Sequence, residues 1–329
     1  MTTRLGFQIP NFSFPGVPTT GLFEQVATIA SRAESAGFDT LFVMDHFYQL
    51  PALGSSDQPM LEAYTLLGAL ATRTKRARLA TLVTGNTYRN PALLAKTVTT
   101  LDVISGGRAL LGIGAGWFEP EHLGYGFDFP PIRERIERVD EALSIIVPMF
   151  RGEKPTVNGR FYRAHEALNS PAPIRPGGPP ILIGGSGEKR TLRLVAKYAD
   201  ESNLTCAPAE IPRKLAALAG HCRDLGRDPR SIGKSWLGSF ILAPTFEQAG
   251  AARNDFLARR GMNWNSLPEP VREIVNRALV LGDPDTVGER VQREILEPGL
   301  DGIVVNLPAD AHVEGAVERA AATLRKALG

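Results

Sequence analysis

A chain of 329 residues, 43% hydrophobic and 22% charged, has the make-up of a soluble globular protein with a sizeable core. Its formal net charge of +2 is too small to draw nucleic acid or a membrane surface by bulk electrostatics, and two cysteines, Cys206 and Cys222, exclude a disulfide framework. No apolar stretch approaches the roughly 18–20 residues of a membrane helix, and Met1-Thr-Thr-Arg-Leu-Gly-Phe runs directly into a strand-like segment. A cytoplasmic protein with no nucleic-acid or membrane partner is therefore expected.

Short apolar runs alternate with longer segments of helical period along the whole chain, the pattern of βαβ units and a parallel sheet. Strands are expected over 5–10, 40–44, 79–84, 109–114, 181–184, 201–204, 232–242 and 302–307. Helices are expected over 23–36, 61–72, 91–104, 133–150, 189–199, 210–225, 285–296 and 309–328. Eight of each in alternation predict an α/β fold, a closed (β/α)8 TIM barrel spanning 1–329 as one domain. An open doubly wound sheet would carry a Gly-rich turn after its first strand, where this chain has Asn11-Phe-Ser-Phe-Pro-Gly-Val-Pro. Gly37 and Gly299 fit the left-handed residue just past a helix end. Asn90 before Pro91, and Asp283 in Asp283-Pro-Asp-Thr, fit helix starts.

Two segments exceed the eightfold count and are expected as insertions at the C-terminal face. The first, 156–180, contains Asn158-Gly159 as a hairpin turn; the second, 244–282, holds a helical pattern followed by Arg259-Arg-Gly-Met-Asn-Trp-Asn.

Barrel enzymes place their chemistry at the C-terminal ends of the strands. The second strand delivers Asp45 and His46 there; the plainer alternative makes Asp45 a cap and His46 a satisfied core histidine. The third strand ends in Thr81-Leu-Val-Thr-Gly-Asn, small polar residues able to bond a ring edge or simply to fill a turn. Gly112, Gly114 and Gly116 close the fourth strand and allow close approach of a backbone or a flat ligand, although the dinucleotide-binding spacing is absent. The fifth strand runs into Gly184-Gly185-Ser186-Gly187 and a helix start, which aims N–H groups at an anion or else forms a tight turn capped by Ser186. His122, His165, His221 and His312 show no metal-ligand spacing, His221 and His312 are expected on solvated helix faces, and no metal is expected. Neither a Gly-x-Ser-x-Gly elbow nor an activating partner for a cysteine is present.

In this order the segments resemble the luciferase-like monooxygenase superfamily and, within it, the branch that uses the deazaflavin coenzyme F420. The matching stretches are Ala36-Gly-Phe-Asp-Thr-Leu-Phe-Val-Met-Asp-His, Leu82-Val-Thr-Gly-Asn-Thr-Tyr-Arg-Asn-Pro and Thr100-Leu-Asp-Val-Ile-Ser-Gly-Gly-Arg. Gly112-Ile-Gly-Ala-Gly-Trp, Glu121-His and Pro179-Pro-Ile-Leu-Ile-Gly-Gly-Ser-Gly continue the match. The resemblance implies a (β/α)8 barrel with a tricyclic cofactor in its mouth, F420 or alternatively FMN. Asp45 and His46 would line the ring, Thr81, Leu82 and Thr84 would lie against it near a non-proline cis peptide at about Thr81-Leu82, and Gly114, Ala115 and Gly116 would pack beside it. Gly184, Gly185, Ser186 and Gly187 would hold its phosphate.

The resemblance implies a hydride-transfer enzyme acting on a small molecule, with His46 the first candidate for the proton and Asp45 its partner or the ring's. The superfamily's sugar-phosphate dehydrogenases carry a glutamate where this chain has Trp117, and a lysine after the sixth strand that is missing from Leu204-Thr-Cys-Ala-Pro-Ala-Glu. A sugar phosphate is therefore disfavoured. Phe12, Phe14, Trp117 and Trp264 suggest an apolar or aromatic substrate pocket, and Glu119 is expected to start a helix. An FMN-dependent monooxygenase and a non-redox lyase or isomerase using Asp45 and His46 are the alternatives. A homodimer is common in the family and compatible with the chain.

Overall fold

Parallel strands buried on both faces need apolar residues on both, and the central runs of this chain supply them. In the computed structural model, which describes residues 2–329 (Arg277 by its backbone alone), eight such strands wind into a barrel. They are β1 (Leu5–Ile9), β2 (Thr40–Val43), β3 (Arg78–Thr81), β4 (Leu111–Gly114), β5 (Ile181–Gly184), β6 (Glu201–Leu204), β7 (Gly233–Leu242) and β8 (Gly302–Asn306). The ladders run β3-β2-β1-β8-β7-β6-β5-β4, every pair parallel. A bridge between Leu79 and Ala109 joins the two ends and closes the ring.

Alternation along the strands sorts side chains into two layers. Leu41, Leu79, Leu111, Ile181 and Ile303 belong to the large core shared with the helices. Phe42, Ala80, Leu110, Leu182 and Val304 form a separate cluster, with Leu237 packed on it. The outer ring includes α1 (Leu22–Ala36), α2 (Ala63–Arg73) and α3 (Pro91–Ser105). Its punctuation follows local chemistry: Gly37 ends α1 at φ 98°, and the Asn90 side chain accepts from the Ala92 and Leu93 N–H groups. The start of the helix at Pro284 is capped by Asp283, which accepts from the Thr286 N–H.

Polar residues shut the N-terminal end of the barrel. The Arg78 guanidinium lies 2.5 Å from a Glu201 carboxylate oxygen and donates to the Thr3 and Thr40 hydroxyls at 2.7 and 2.9 Å. The other Glu201 oxygen accepts from the Thr3 N–H at 2.9 Å. Arg78 and Glu201 are both buried.

Three departures from the sequence expectation are local. The third strand breaks after Thr81 and resumes as Thr84–Gly85 beside β4, and a cis peptide joins Leu82 to Val83, one bond later than the resemblance implies. Gly112 owes its identity to this neighbourhood: a Cβ there would sit 1.9 Å from the Thr81 carbonyl oxygen. His312 lies on the loop after β8 rather than on a helix, and His221 is half-buried, its Nε2 donating to the Glu188 carbonyl at 2.7 Å.

Segment 156–180 carries a two-stranded hairpin, Val157–Asn158 paired with Arg163–Ala164. Segment 244–282 forms helices Phe246–Ala258 and Glu269–Ala278, then a strand, Leu279–Gly282, that adds to the outer half of β7. Its apolar side chains make a small core of their own around Ile241, Phe256 and Leu279. Among the described residues no helix is long and apolar enough to cross a membrane.

Candidate active site at the barrel mouth

The C-terminal ends of the strands surround a cavity of about 570 Å³. Asp45 and His46 from the end of β2, Leu82 and Val83 after β3, Gly114 to Trp117 after β4, and Gly184 and Gly185 from β5 all line it. The sequence motifs thus converge, and the third and fourth strand ends fit together by shape. A Cβ on Gly114 or on Gly184 would fall 2.8 Å from a Val83 methyl, so both glycines leave the space that Val83 fills.

His46 is held by a residue from a short helix after β4, α4 (Glu119–Tyr125). Its Nδ1 lies 2.7 Å from Oε1 of Glu121, a side chain with no exposed surface. The same carboxylate accepts from the Phe47 and Tyr48 N–H groups at 2.8 and 3.4 Å and from the Tyr88 hydroxyl. Burial pushes the Glu121 carboxyl up, but the hydrogen bonds from His46, Tyr88 and the Phe47 N–H outweigh it and hold the group below its ordinary range. Glu121 is therefore an anion, His46 Nδ1 carries the proton, and Nε2 is left with no hydrogen-bond partner among the described residues. Burial first, and then the bond to Glu121, keep the Tyr88 phenol protonated. The indole of Trp117, 61% exposed, stands edge-on to the imidazole with centroids 5.8 Å apart.

Asp45 is a different kind of group. Arg89 grips it with two hydrogen bonds of 2.6 and 3.1 Å, lies 2.5 Å from Glu62 and rests over the Tyr64 ring. Burial pushes the Asp45 carboxyl up against the opposing pull of Arg89. The contacts assign Asp45 to Arg89 rather than to His46.

The floor is polar. Gln8, Asn203 and Asn306 line it; Asn203 donates to Ser235 at 2.9 Å and Asn306 to Gln8 at 3.2 Å. The carbonyl oxygens of Asn203 and Asn306 are buried with no hydrogen-bond partner among the described residues. On the β5 side Gly185 has φ 124°, and Thr191 and Thr205 extend the same wall. Ser186 and Gly187 fall outside the cavity: Ser186 accepts from the Thr205 N–H at 3.0 Å, and it caps no helix, since the next one begins at Thr191.

Other expected site residues lie elsewhere. Thr81 and Thr84 are buried beside the wall, bonded to each other at 2.9 Å and to the Gly112 carbonyl and the Tyr64 hydroxyl. Phe12 is wholly buried in the large core and does not line the cavity, its apolar ring being taken up by core packing. Trp264 packs on the small core of the 244–282 segment with Arg253 3.4 Å above its ring, which keeps it from the cavity. Phe14 lines a neighbouring cavity instead. Glu119 opens α4.

A barrel whose strand ends gather a histidine and several glycines around a cavity with a polar floor has the form of a small-molecule site. Residues 3–302 match the luciferase-like monooxygenase family, and the chain belongs to it. It is 35% identical over 308 residues to an F420-dependent glucose-6-phosphate dehydrogenase of Intrasporangium calvum, covering 85% of this chain and 87% of that one. A protein of the same description from Nocardia farcinica is 27% identical over 307 residues, covering 86% and 88%. The coenzyme F420-dependent tetrahydromethanopterin reductase of Methanopyrus kandleri has the same fold, with a TM-score of 0.80 at 18% identity over all of both chains.

Proposed function

We propose that this protein is an F420-dependent oxidoreductase that moves a hydride between the deazaflavin and a small organic substrate with an apolar or aromatic body. The observation that carries the proposal is His46, whose Nδ1 is tied to buried Glu121 while Nε2 is left for a ligand in the cavity. The F420-dependent relatives support the choice of cofactor.

The residues present fit such a cofactor. The orphaned Asn203 and Asn306 oxygens are acceptors for the N–H groups of a heteroaromatic ring, and Leu82 and Val83 give that ring an apolar side. Gly184 and Gly185 leave the β5 wall open for a phosphate, with the Thr191 and Thr205 hydroxyls beside them. When bound, the deazaflavin supplies a two-electron hydride donor or acceptor. His46 holds or releases the accompanying proton at Nε2, Glu121 fixes the imidazole's tautomer, and Tyr88 fixes Glu121. Trp117, Leu50, Leu53, Ile132 and Leu237 give the cavity an apolar share of its lining, and no lysine lines it among the described residues. That lining favours an uncharged, apolar group next to the cofactor.

Thermal-shift titrations of the purified protein with F420, FMN and NADPH test the proposal, since a ligand that binds the native state raises its apparent stability. F420 is expected to stabilise at micromolar concentration and FMN poorly. Equal or stronger stabilisation by FMN would favour a flavin monooxygenase and overturn it.

A further inference from the structure

Beside the cofactor cavity lies a second one of about 580 Å³, and Leu53 lines both. It is bounded by the loops that follow β1, β2 and β8 and by the end of the helix Phe246–Ala258. It therefore sits on the opposite side of the mouth from the proposed phosphate wall, since β1 and β5 are four strands apart around the barrel. Apolar surface comes from Phe14, Leu53 and Phe256; the charge comes from Arg259 and Arg260.

Neither guanidinium has a carboxylate within ion-pair distance among the described residues. Arg260 lies over the Phe256 ring at 3.5 Å and donates to the carbonyls of Phe256 (2.6 Å) and Leu53, while its Nε is buried with no partner. The Arg259 guanidinium makes one hydrogen bond among the described residues, to the Ala309 carbonyl at 3.2 Å, and the residue is exposed. Burial and the neighbouring Arg259 push Arg260 down to about 10, so it remains a cation at neutral pH. The neighbouring titratable groups add no anion to the lining. His312 lines the cavity as an imidazole held low by burial and by Arg259, and Asp310 lies near Arg259 but is neither a lining residue nor paired with it. Two adjacent cations, neither paired with a carboxylate among the described residues, line a cavity that has an apolar wall, the chemistry that receives an oxyanion.

We propose that Arg259 and Arg260 bind the oxyanion of an organic acid, a carboxylate or a phosphate monoester, whose apolar body passes Leu53 toward the cofactor cavity. Its placement as a substrate subsite rests on the hydride-transfer function proposed above; the binding itself does not. Segment 244–282 then has a task, since it carries both arginines into the mouth.

The test is calorimetric titration of the full chain with benzoate, with benzamide as a neutral compound of the same shape, and with inorganic phosphate as a second oxyanion. Wild type is expected to bind benzoate at millimolar concentration or tighter and benzamide far more weakly. Arg259→Gln should weaken benzoate roughly tenfold, the scale of a lost charge-assisted hydrogen bond. Arg260→Gln should weaken it further, and Arg260→Lys should retain part of the affinity. Arg260 also ties the segment to Leu53, so Arg259→Gln, an exposed change, keeps the test decisive if the Arg260 variants fail to fold. Absence of benzoate and phosphate binding to wild type, equal binding of benzamide, or unchanged affinity in Arg259→Gln would each overturn the proposal. F420 affinity is measured in parallel. Benzoate binding without F420 binding would sink the cofactor assignment and leave the anion site standing; F420 binding without benzoate or phosphate binding would do the reverse.

Discussion

Nδ1 of His46 and Oε1 of Glu121 meet at 2.7 Å across 75 residues of sequence, and the carboxylate that orients the imidazole is fully buried. A histidine at a strand end is thereby given one bonded nitrogen and one open one. His46→Ala should reduce kcat by roughly 10²–10⁴-fold, the usual contribution of a positioned acid–base group. The F420 dissociation constant should change much less. Stopped-flow rates and fluorescence titration of the same variant check both halves, and a wild-type rate would remove His46 from the chemistry.

Glu121 makes stability depend on pH. Burial alone would raise its carboxyl, but its hydrogen bonds prevail and the folded protein holds it low. A depressed acid contributes stability that is present above its unfolded value, about 4.3, and lost as pH falls through the folded value. Glu121→Gln should therefore lower stability at pH 7 on the order of 1–3 kcal/mol, and the gap should narrow toward about pH 3. Urea unfolding across that range measures it; a gap that does not change with pH would contradict the assignment.

Arg89 compensates Asp45 in a buried position. Arg89→Met strands the carboxylate and should cost about 3–5 kcal/mol, whereas adding Asp45→Asn should recover part of the loss. Equilibrium unfolding of the two single variants and the double variant gives the coupling directly, and simple additivity would mean the pair is not coupled.

Gly185 sits at φ 124°, where any side chain is strained, and a Cβ there would lie 3.3 Å from the Thr191 methyl. Gly185→Ala and Gly185→Asp share that strain, so the difference between them isolates charge. If a phosphate rests on this wall, Gly185→Asp should bind F420 at least about tenfold more weakly than Gly185→Ala, the scale of a charge facing an anion. Equal affinities would move the phosphate elsewhere.

Asp310 behaves in the opposite sense to Glu121. Burial pushes its carboxyl up to about 6 against the pull of Arg319 and Arg259, and one of its oxygens is buried with no hydrogen-bond partner among the described residues. A raised acid contributes stability that is present below its unfolded value and lost as pH rises through the folded one. Asp310→Asn should thus be more stable than wild type at pH 7.5, on the order of 2 kcal/mol, with the advantage gone below about pH 4. Melting temperatures at the two pH values decide it.

The barrel was legible because its cause is local: alternating apolar runs and helical stretches can be read without knowing what they touch. Asp45-His46 and the glycines of β4 and β5 were legible because they sit at the ends of those runs. Their partners were not. Arg89 reaches Asp45 across 44 residues and Tyr88 reaches Glu121 across 33. A single sequence contains nothing that pairs them. Glu121 stood inside a matching stretch with no sign of its burial. Phe12 and Trp264 show the converse error, since an aromatic near a strand end or in an insertion satisfies a core as readily as a pocket.

The Arg78–Glu201 ion pair shuts the end of the barrel opposite the mouth. With that end sealed, traffic has one doorway. On the proposed reading, a ring seated against Asn203 and Asn306 would lie at the bottom of the only route in that the barrel itself leaves open. If the proposed cofactor binds there, order of arrival would follow from architecture rather than from affinity, with the deeper molecule staying in place while smaller ones come and go over it.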